Sequence, residues 1–409
     1  MTTPALSPLP VADPVRELVV TGVGVCAPPA EGAPDWFDYR TELGPQGYKY
    51  VPRAAQYLLA AAKRALIDAR LESEGPDDRC GVVLGSNNCA SRLHADIDRE
   101  VADTGIRFLR PATVPYFSVN LFLARLGIEY GWRGFTLAVH SPATAGVETV
   151  EQGFRVVRDG DVDWLVLGAT ETPPDTTSPT PPATHPTPPA AAPATTAPAA
   201  TAPAPAGALS ASAPPGAARP GADLSGTGLT ASAPPAAATV PAAPGADLSA
   251  AGRPDPDRPR PDLPGAALPA ADDGAAVLIV EPASRAAARG ARVYGSLASS
   301  SLFIPPSAAV RDADAEVDRL RAVLADHGVS ADIPVRLLRD SSPVADVVAR
   351  ALPGARSRTV GPGCLSPVLE VADILRAGGP GTAVVCANAL GTVAVTMVVP
   401  ARPASGGNP

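Results

Sequence analysis

Lysine is almost missing from this chain: Lys49 and Lys63 are the only two, so arginine carries nearly all the positive charge. Aromatic residues make up only 4%, and the histidines number 4. The five cysteines (Cys26, Cys80, Cys89, Cys364, Cys386) form no CxxC pair and have no histidine at zinc spacing. Each shortage excludes something. With Lys+Arg 33 against Asp+Glu 41 the net charge is −8. That balance argues against a nucleic-acid binder, which would need a basic face to displace counterions from phosphates, so nucleic acid is not an expected partner. An odd number of unpaired cysteines reads as reduced thiols, and no metal ligand set is expected. The opening MTTPALSPLPVADPVRE has neither a basic start nor an apolar core region, and no window approaches the ~18 apolar residues of a membrane span. The expectation is a soluble, cytoplasmic protein with no membrane segment and no cofactor.

Proline is what the chain has in excess, 50 residues, and they are clustered. Residues 16–171 alternate β-like apolar runs with helical periodicity. ELVVTGVGV reads as a buried strand entering a glycine turn. Pro52 to Leu71 starts with proline and repeats apolar residues at three-to-four spacing, as an amphipathic helix does. CGVVLGS and DWLVLGATE read as buried strands, with the helix VETVEQGFRVVRDGD before the second. Residues 172–271 are dominated by Pro, Ala, Thr, Ser and Gly, and repeat ASAPP and PGADLS. So few large apolar side chains cannot offset the entropy of ordering, and this segment is expected to be a disordered linker or insertion. From residue 272 to 401 the pattern returns, in the strand GAAVLIVE, the helix DADAEVDRLRAVLADHG ending at Gly328, and the runs IPVRLLRD, LSPVLEVADILRAGG and GTAVVCANALGTVAVTMVV. TGVG at Gly22 and Gly24 lacks the spaced third glycine and acidic partner of a dinucleotide site.

The order of these motifs resembles a β-ketoacyl synthase. VVTGVGVCAP is similar to that family's opening strand and turn. FTLAVHSPATAGVETVEQGFRVVRDGDVDWLVLGATE resembles its nucleophile strand, nucleophile helix and following strand. DDGAAVLIVEPASRAAARGARVYG resembles the start of its second half, with RDSSPVAD, GPGCLSPVLEVADILRAG and CANALGTVAVTMVV following in order. The resemblance implies a thiolase-like α/β fold of two related halves, each a mixed sheet layered between helices and interrupted by the Pro/Ala-rich insertion. It also implies a dimer built around the nucleophile half.

The chemistry that the resemblance implies is missing. In the family a cysteine at the N-terminus of the nucleophile helix takes the acyl chain, where helix N–H groups lower its pKa and stabilise an oxyanion. Counting back from GDVDWLVLGATE, that position is Ala143. The two family histidines fall at Leu338 and Pro362, and no lysine follows the insertion. Ser141, Thr144 and Cys364 are the substitute nucleophiles left, although no base stands beside the two hydroxyls in sequence. His140 reads as a satisfied structural imidazole. His327, at a helix end before Gly328, reads as a group whose partial positive charge suits the helix dipole. Cys26 and Cys386 read as small buried hydrophobes.

The resulting expectation is a non-catalytic partner subunit, like the chain-length factors of this family. It would pair with an active ketosynthase subunit and meet an acyl carrier protein, in polyketide or fatty-acid biosynthesis. Chain-length factors commonly carry glutamine where this chain has Ala143. Two alternatives remain open: a divergent active synthase or acyltransferase, and a carrier-protein docking scaffold.

Overall fold

A computed structural model describes residues 17–29, 35–72, 75–111, 114–173, 272–330 and 332–401. The expectation of a disordered insertion falls almost wholly outside these residues. Those flanking it on either side belong to one compact unit.

In the N-terminal half, β1 (Leu18–Cys26) leads through the short α1 (Tyr39–Glu42) to α2 (Arg53–Ala69) and β2 (Cys80–Gly85). Then come α3 (Ser91–Thr104), two single 3₁₀ turns at Ile106–Phe108 and Val114–Phe117, α4 (Asn120–Tyr130), β3 (Thr136–Val139), α5 (Ala145–Asp159) and β4 (Trp164–Glu171). β5 (Gly274–Pro282) follows the insertion. The remainder is α6 (Ala283–Ala288), β6 (Gly295–Phe303), α7 (Pro306–Arg311), α8 (Ala313–Asp326), β7 (Val335–Arg339), α9 (Pro343–Ala351), β8 (Arg356–Thr359), α10 (Leu365–Ala377), β9 (Thr382–Ala387) and β10 (Thr392–Pro400).

Local chemistry accounts for much of this. Asp312 caps α8 by accepting from Ala315 N at 3.3 Å. Ser342 caps α9 in the same way through Ala345 N at 3.2 Å, with Pro343 at the first helical position, where its missing N–H costs nothing. β1, β4 and β5 are apolar on both faces because helices cover both sides. Gly24 lets α2 lie directly on β1: a Cβ there would stand 1.9 Å from Ala61 O. The TGVG run is therefore a packing surface for a helix.

The ten strands form one sheet in the order β3-β2-β4-β5-β1-β6-β10-β9-β7-β8. Read inward from its own outer edge, each half repeats one pattern: third, second, fourth, fifth and first strand. In each, three parallel strands are followed by antiparallel ones. By this repeat β5 completes the first half, although it follows the insertion and the sequence reading placed it in the second; within the described sheet two residue pairs then join the halves, Val19 with Ser296 and Val20 with Gly295. The equivalent helices α5 and α10 follow equivalent strands, β3 and β8. α5 packs on β2 and β4 of the first half and on β6 and β10 of the second. α10 packs on β4 and β5, on β9 and β10, and on α5. These two helices form a central layer, whose core includes Val147, Val150, Leu167, Leu278, Val371 and Leu375. α2 covers the outer face of the N-terminal half, and α8 and α9 that of the C-terminal half. Burying each such Leu or Val is worth about 1.5–3 kcal/mol, so a helix shared by both halves ties them more firmly than the short β1–β6 seam.

Candidate functional site

The two central helices begin beside each other, and there two of the three expected chemical positions, Ala143 and Pro362, meet. β3 ends at Val139, and residues 140–144 turn the chain into α5. Ala143 sits in that turn with φ +59°; among the described residues only it and Arg70 are non-glycine residues in the left-handed region. Arg70 is an ordinary helix C-cap, whereas Ala143 is buried at the start of a helix. A left-handed alanine costs about 1–2 kcal/mol, and strain of this kind persists where surrounding structure imposes it. The Ala143 N–H donates to Pro362 O at 2.9 Å. The fold thus brings Ala143 and Pro362 together across more than two hundred residues. Leu338 is buried in β7, within the central core.

Around this turn the hydroxyls have partners. Ser141 Oγ lies 2.6 Å from Thr144 Oγ1 and donates to Glu148 Oε1 at 2.7 Å. A carboxylate therefore does stand beside Ser141, contrary to the sequence reading; one turn of α5 brings it back over the loop. Asn388, in the β9–β10 turn, donates from Nδ2 to Pro142 O at 2.7 Å and to Thr144 Oγ1 at 3.2 Å. His140 is exposed, so it is not the buried structural imidazole expected.

Cys364 is the N-cap of α10 and fully buried. Its N–H donates to Glu171 Oε1 at 3.0 Å. The same carboxylate accepts from Asn87 N at 2.6 Å and Asn88 N at 2.7 Å. Asp272 Oδ1 accepts from Ser366 N at 3.0 Å and from Ser366 Oγ at 2.9 Å. Burial raises the Glu171 and Asp272 carboxyls above the ordinary carboxylate range, with the hydrogen bonds pulling the other way. Burial, reinforced by the Glu171 carboxylate, pushes the Cys364 thiol well up. Burial likewise pushes Cys26 and Cys89 up to about 12. The thiolate, not the thiol, is nucleophilic, so these environments suppress reactivity. Cys26 and Cys386 are buried as the sequence suggested. His327 is the C-cap of α8, as expected, but it is buried, and burial lowers its pKa. The neutral imidazole is favoured there over the cation expected from the helix dipole.

Glu171, Asp272, Asn388 and Glu148 are the residues that sequence reasoning missed. The available signal was placement: Glu171 and Asp272 are carboxylates at the ends of apolar strands, where an unpaired charge would be costly. Among the described residues, no group of three His, Cys, Asp or Glu is arranged to hold a metal ion, and no helix is long and apolar enough to cross a membrane.

Known proteins share this architecture. Residues 30–178 match the family model for the β-ketoacyl synthase N-terminal domain. The 3-oxoacyl-[acyl-carrier-protein] synthase 2 of Staphylococcus aureus is 27% identical over 138 residues, 34% of this chain and 34% of that protein. Its namesake in Rhizobium meliloti (strain 1021) is 28% identical over 148 residues, 36% of this chain and 35% of that protein. The aligned region thus spans about a third of the length of these curated relatives. Among solved structures, a type II PKS acyl-carrier protein in complex with its ketosynthase bound to the hexaketide matches with a TM-score of 0.58 at 14% identity, covering 94% of this chain and 99% of that one. The ishigamide ketosynthase/chain length factor matches with a TM-score of 0.56 at 14% identity, covering 94% and 100%. A β-ketoacyl synthase from Burkholderia phymatum STM815 matches with a TM-score of 0.55 at 14% identity, covering 95% and 100%. The fold is thiolase-like. Residues 30–178 carry the sequence likeness to the β-ketoacyl synthase N-terminal domain, and the fold of the described residues resembles that of the ketosynthase structures.

Proposed function

We propose that this protein is a non-catalytic, chain-length-factor-like subunit of a polyketide or fatty-acid type synthase, pairing with an active ketosynthase. The observation that carries the reading is Ala143: the strained, buried turn of a helix-borne nucleophile is retained while the nucleophile is replaced by a methyl group. The second half supports it, because Leu338 and Pro362 offer no acid–base group. The surface of the nucleophile half is consistent with a partner. Ile106, Phe108, Val114, Phe117 and Ile128 are all exposed within one stretch of the N-terminal half, and β3 is an uncharged edge strand paired only to β2. Clustered apolar exposure and an open edge are characteristic of a surface that is covered in an assembly.

An active acyltransferase is the second reading, favoured by one contact, the Ser141 hydroxyl against the Glu148 carboxylate. Co-expression with an active ketosynthase, followed by size-exclusion chromatography with light scattering, tests the proposal. The expected result is a one-to-one complex whose condensation activity needs both chains and tolerates Ser141→Ala and Cys364→Ala. A chain that stays monomeric or self-paired beside the ketosynthase sinks it, and a serine-linked acyl adduct would move the weight to the second reading.

A further inference from the structure

We infer that the emptied nucleophile turn is also plugged from within: the Pro362 carbonyl occupies the Ala143 N–H, in the turn just before the N-cap of α5, that an acyl carbonyl held at that position would need. This rests on reading Ala143 as the former nucleophile position. It adds a second block, independent of the missing thiol. In acyl transfer, a backbone N–H beside the reacting atom stabilises the carbonyl oxygen as it gains negative charge, and that donor must be free to receive it. Here the donor is spent. The Ala143 N–H is 2.9 Å from Pro362 O, an acceptor of the same chemical type as a thioester carbonyl but delivered intramolecularly.

The plug is held from several directions. Proline at 362 fixes its own φ and stiffens the loop. The next N–H beyond Gly363, that of Cys364, is anchored to Glu171, and Ser366 is anchored to Asp272 by both its N–H and its hydroxyl. Gly146, in the first turn of α5, lies so close to this loop that a Cβ would stand 2.3 Å from Cys364 O. On the other side of the turn the Asn388 amide occupies Pro142 O and Thr144 Oγ1. Between α5 and α10, the space lined by Gly146, Val150 and Val368 leaves essentially 0 Å³ for water. Movement of the 362 carbonyl therefore strains the contacts of the following residues to buried Glu171 and half-buried Asp272, which act as positioning residues for the plug.

Restoring the nucleophile alone will then not restore acylation. The five native cysteines are buried, so an introduced thiol can be read against a low background. In the full chain, Ala143→Cys is treated with iodoacetamide and with an acyl N-acetylcysteamine thioester, and adducts are followed by mass spectrometry. The expected result is alkylation at least ~100-fold slower than that of a free cysteine, with no acyl adduct. Adding Asp272→Ala, which releases one anchor, is expected to raise the alkylation rate at least ~10-fold while the native melting transition persists. A single variant that alkylates like free cysteine, or that accepts the acyl group, overturns the plug; so does a folded double variant that gains no reactivity. Because either variant could fail to fold, amide hydrogen exchange on the unmodified protein gives a separate reading. The Ala143 amide should exchange as slowly as the amides inside α5, and fast exchange would overturn the inference. Formation of the ketosynthase complex by a protein whose Ala143 amide exchanges fast would reject the plug and leave the partner reading standing. Slow exchange without a complex would do the reverse.

Discussion

The two halves of this protein follow one topological plan and finish it differently. Their outer strands are equivalent: β3 reads TLAV and β8 reads RSRT. Arg356 stands directly opposite Arg336 in the parallel ladder; Arg336 in turn reaches Asp373 and Glu370 of α10, and Arg358 also reaches Glu370. Charged side chains on an edge strand discourage pairing with another chain. β3 has no such protection and lies in the half that also exposes Ile106, Phe108 and Phe117. The strand connections differ as well. β9 and β10 are joined by the short turn of residues 388–391, held by Asn388 Oδ1 accepting from Leu390 N and Thr392 N. The equivalent β4 and β5 are joined by the Pro/Ala-rich insertion, although their ends are paired neighbours, Glu171 with Gly274. One half is built to be closed and the other to carry additions, so the asymmetry lies in edges and loops while the core plan is shared.

The central helices offer the sharpest test of this difference. Glu171 satisfies three backbone N–H groups, that of Cys364 at the start of α10 and those of Asn87 and Asn88 after β2, whereas at the start of α5 Glu148 accepts from one partly buried hydroxyl. Leaving buried donors unpaired costs about 1–3 kcal/mol each, so Glu171→Ala should lower unfolding stability by roughly 3–5 kcal/mol, against under about 1 kcal/mol for Glu148→Ala. Urea midpoints of the two variants read this directly, and equal losses would remove the distinction. Next in size is the edge comparison. Ile106→Asp combined with Phe117→Asp should weaken the ketosynthase complex about 100-fold, or about 2.7 kcal/mol, with an unchanged melting temperature. Arg356→Thr on the other edge should leave complex formation as it was. Titration by light scattering or calorimetry separates the two, and loss of binding only from the β8 variant would invert the assignment.

Replacing residues 174–271 by the four-residue sequence of the other half's turn, Asn-Ala-Leu-Gly, should bring the first strand connection close to the second in length. Because residues 172, 173, 272 and 273 remain, the connection shortens about 13-fold, which reduces its closure entropy and should stabilise the fold by roughly 2 kcal/mol. A fall of more than about 1 kcal/mol on excision would mean that the insertion itself packs on the body. The smallest effect is a pH dependence. The folded protein holds the Asp272 proton more tightly than the unfolded chain does, because burial raises its pKa above 3.8. That contribution is fully present below the unfolded value and is lost as pH rises through the folded value. Relative to wild type, Asp272→Asn should therefore gain ground as pH rises from about 4 in denaturant titrations. A stability difference independent of pH would show that Asp272 titrates as it does in the unfolded chain.

Sequence pattern alone determined much of this protein. Strands β1, β2, β4 and β5, helices α2 and α8, and the abrupt change of composition around residue 172 are all local features, because periodicity and proline content act over a few residues. The proposed nucleophile position, Ala143, was reached from motif order and a count alone. What tertiary structure decided is how distant residues share their hydrogen bonds. Glu171 meets Cys364 across 193 positions, Asn388 meets Thr144 across 244, and Pro362 turns its carbonyl onto Ala143. No local pattern encodes such pairs, because a backbone donor exists at almost every residue and only the crossing of α5 and α10 selects which acceptor reaches it. The charge on His327 was decided the same way: its place at a helix end could be read from Gly328, but its burial came from the layer packed against it.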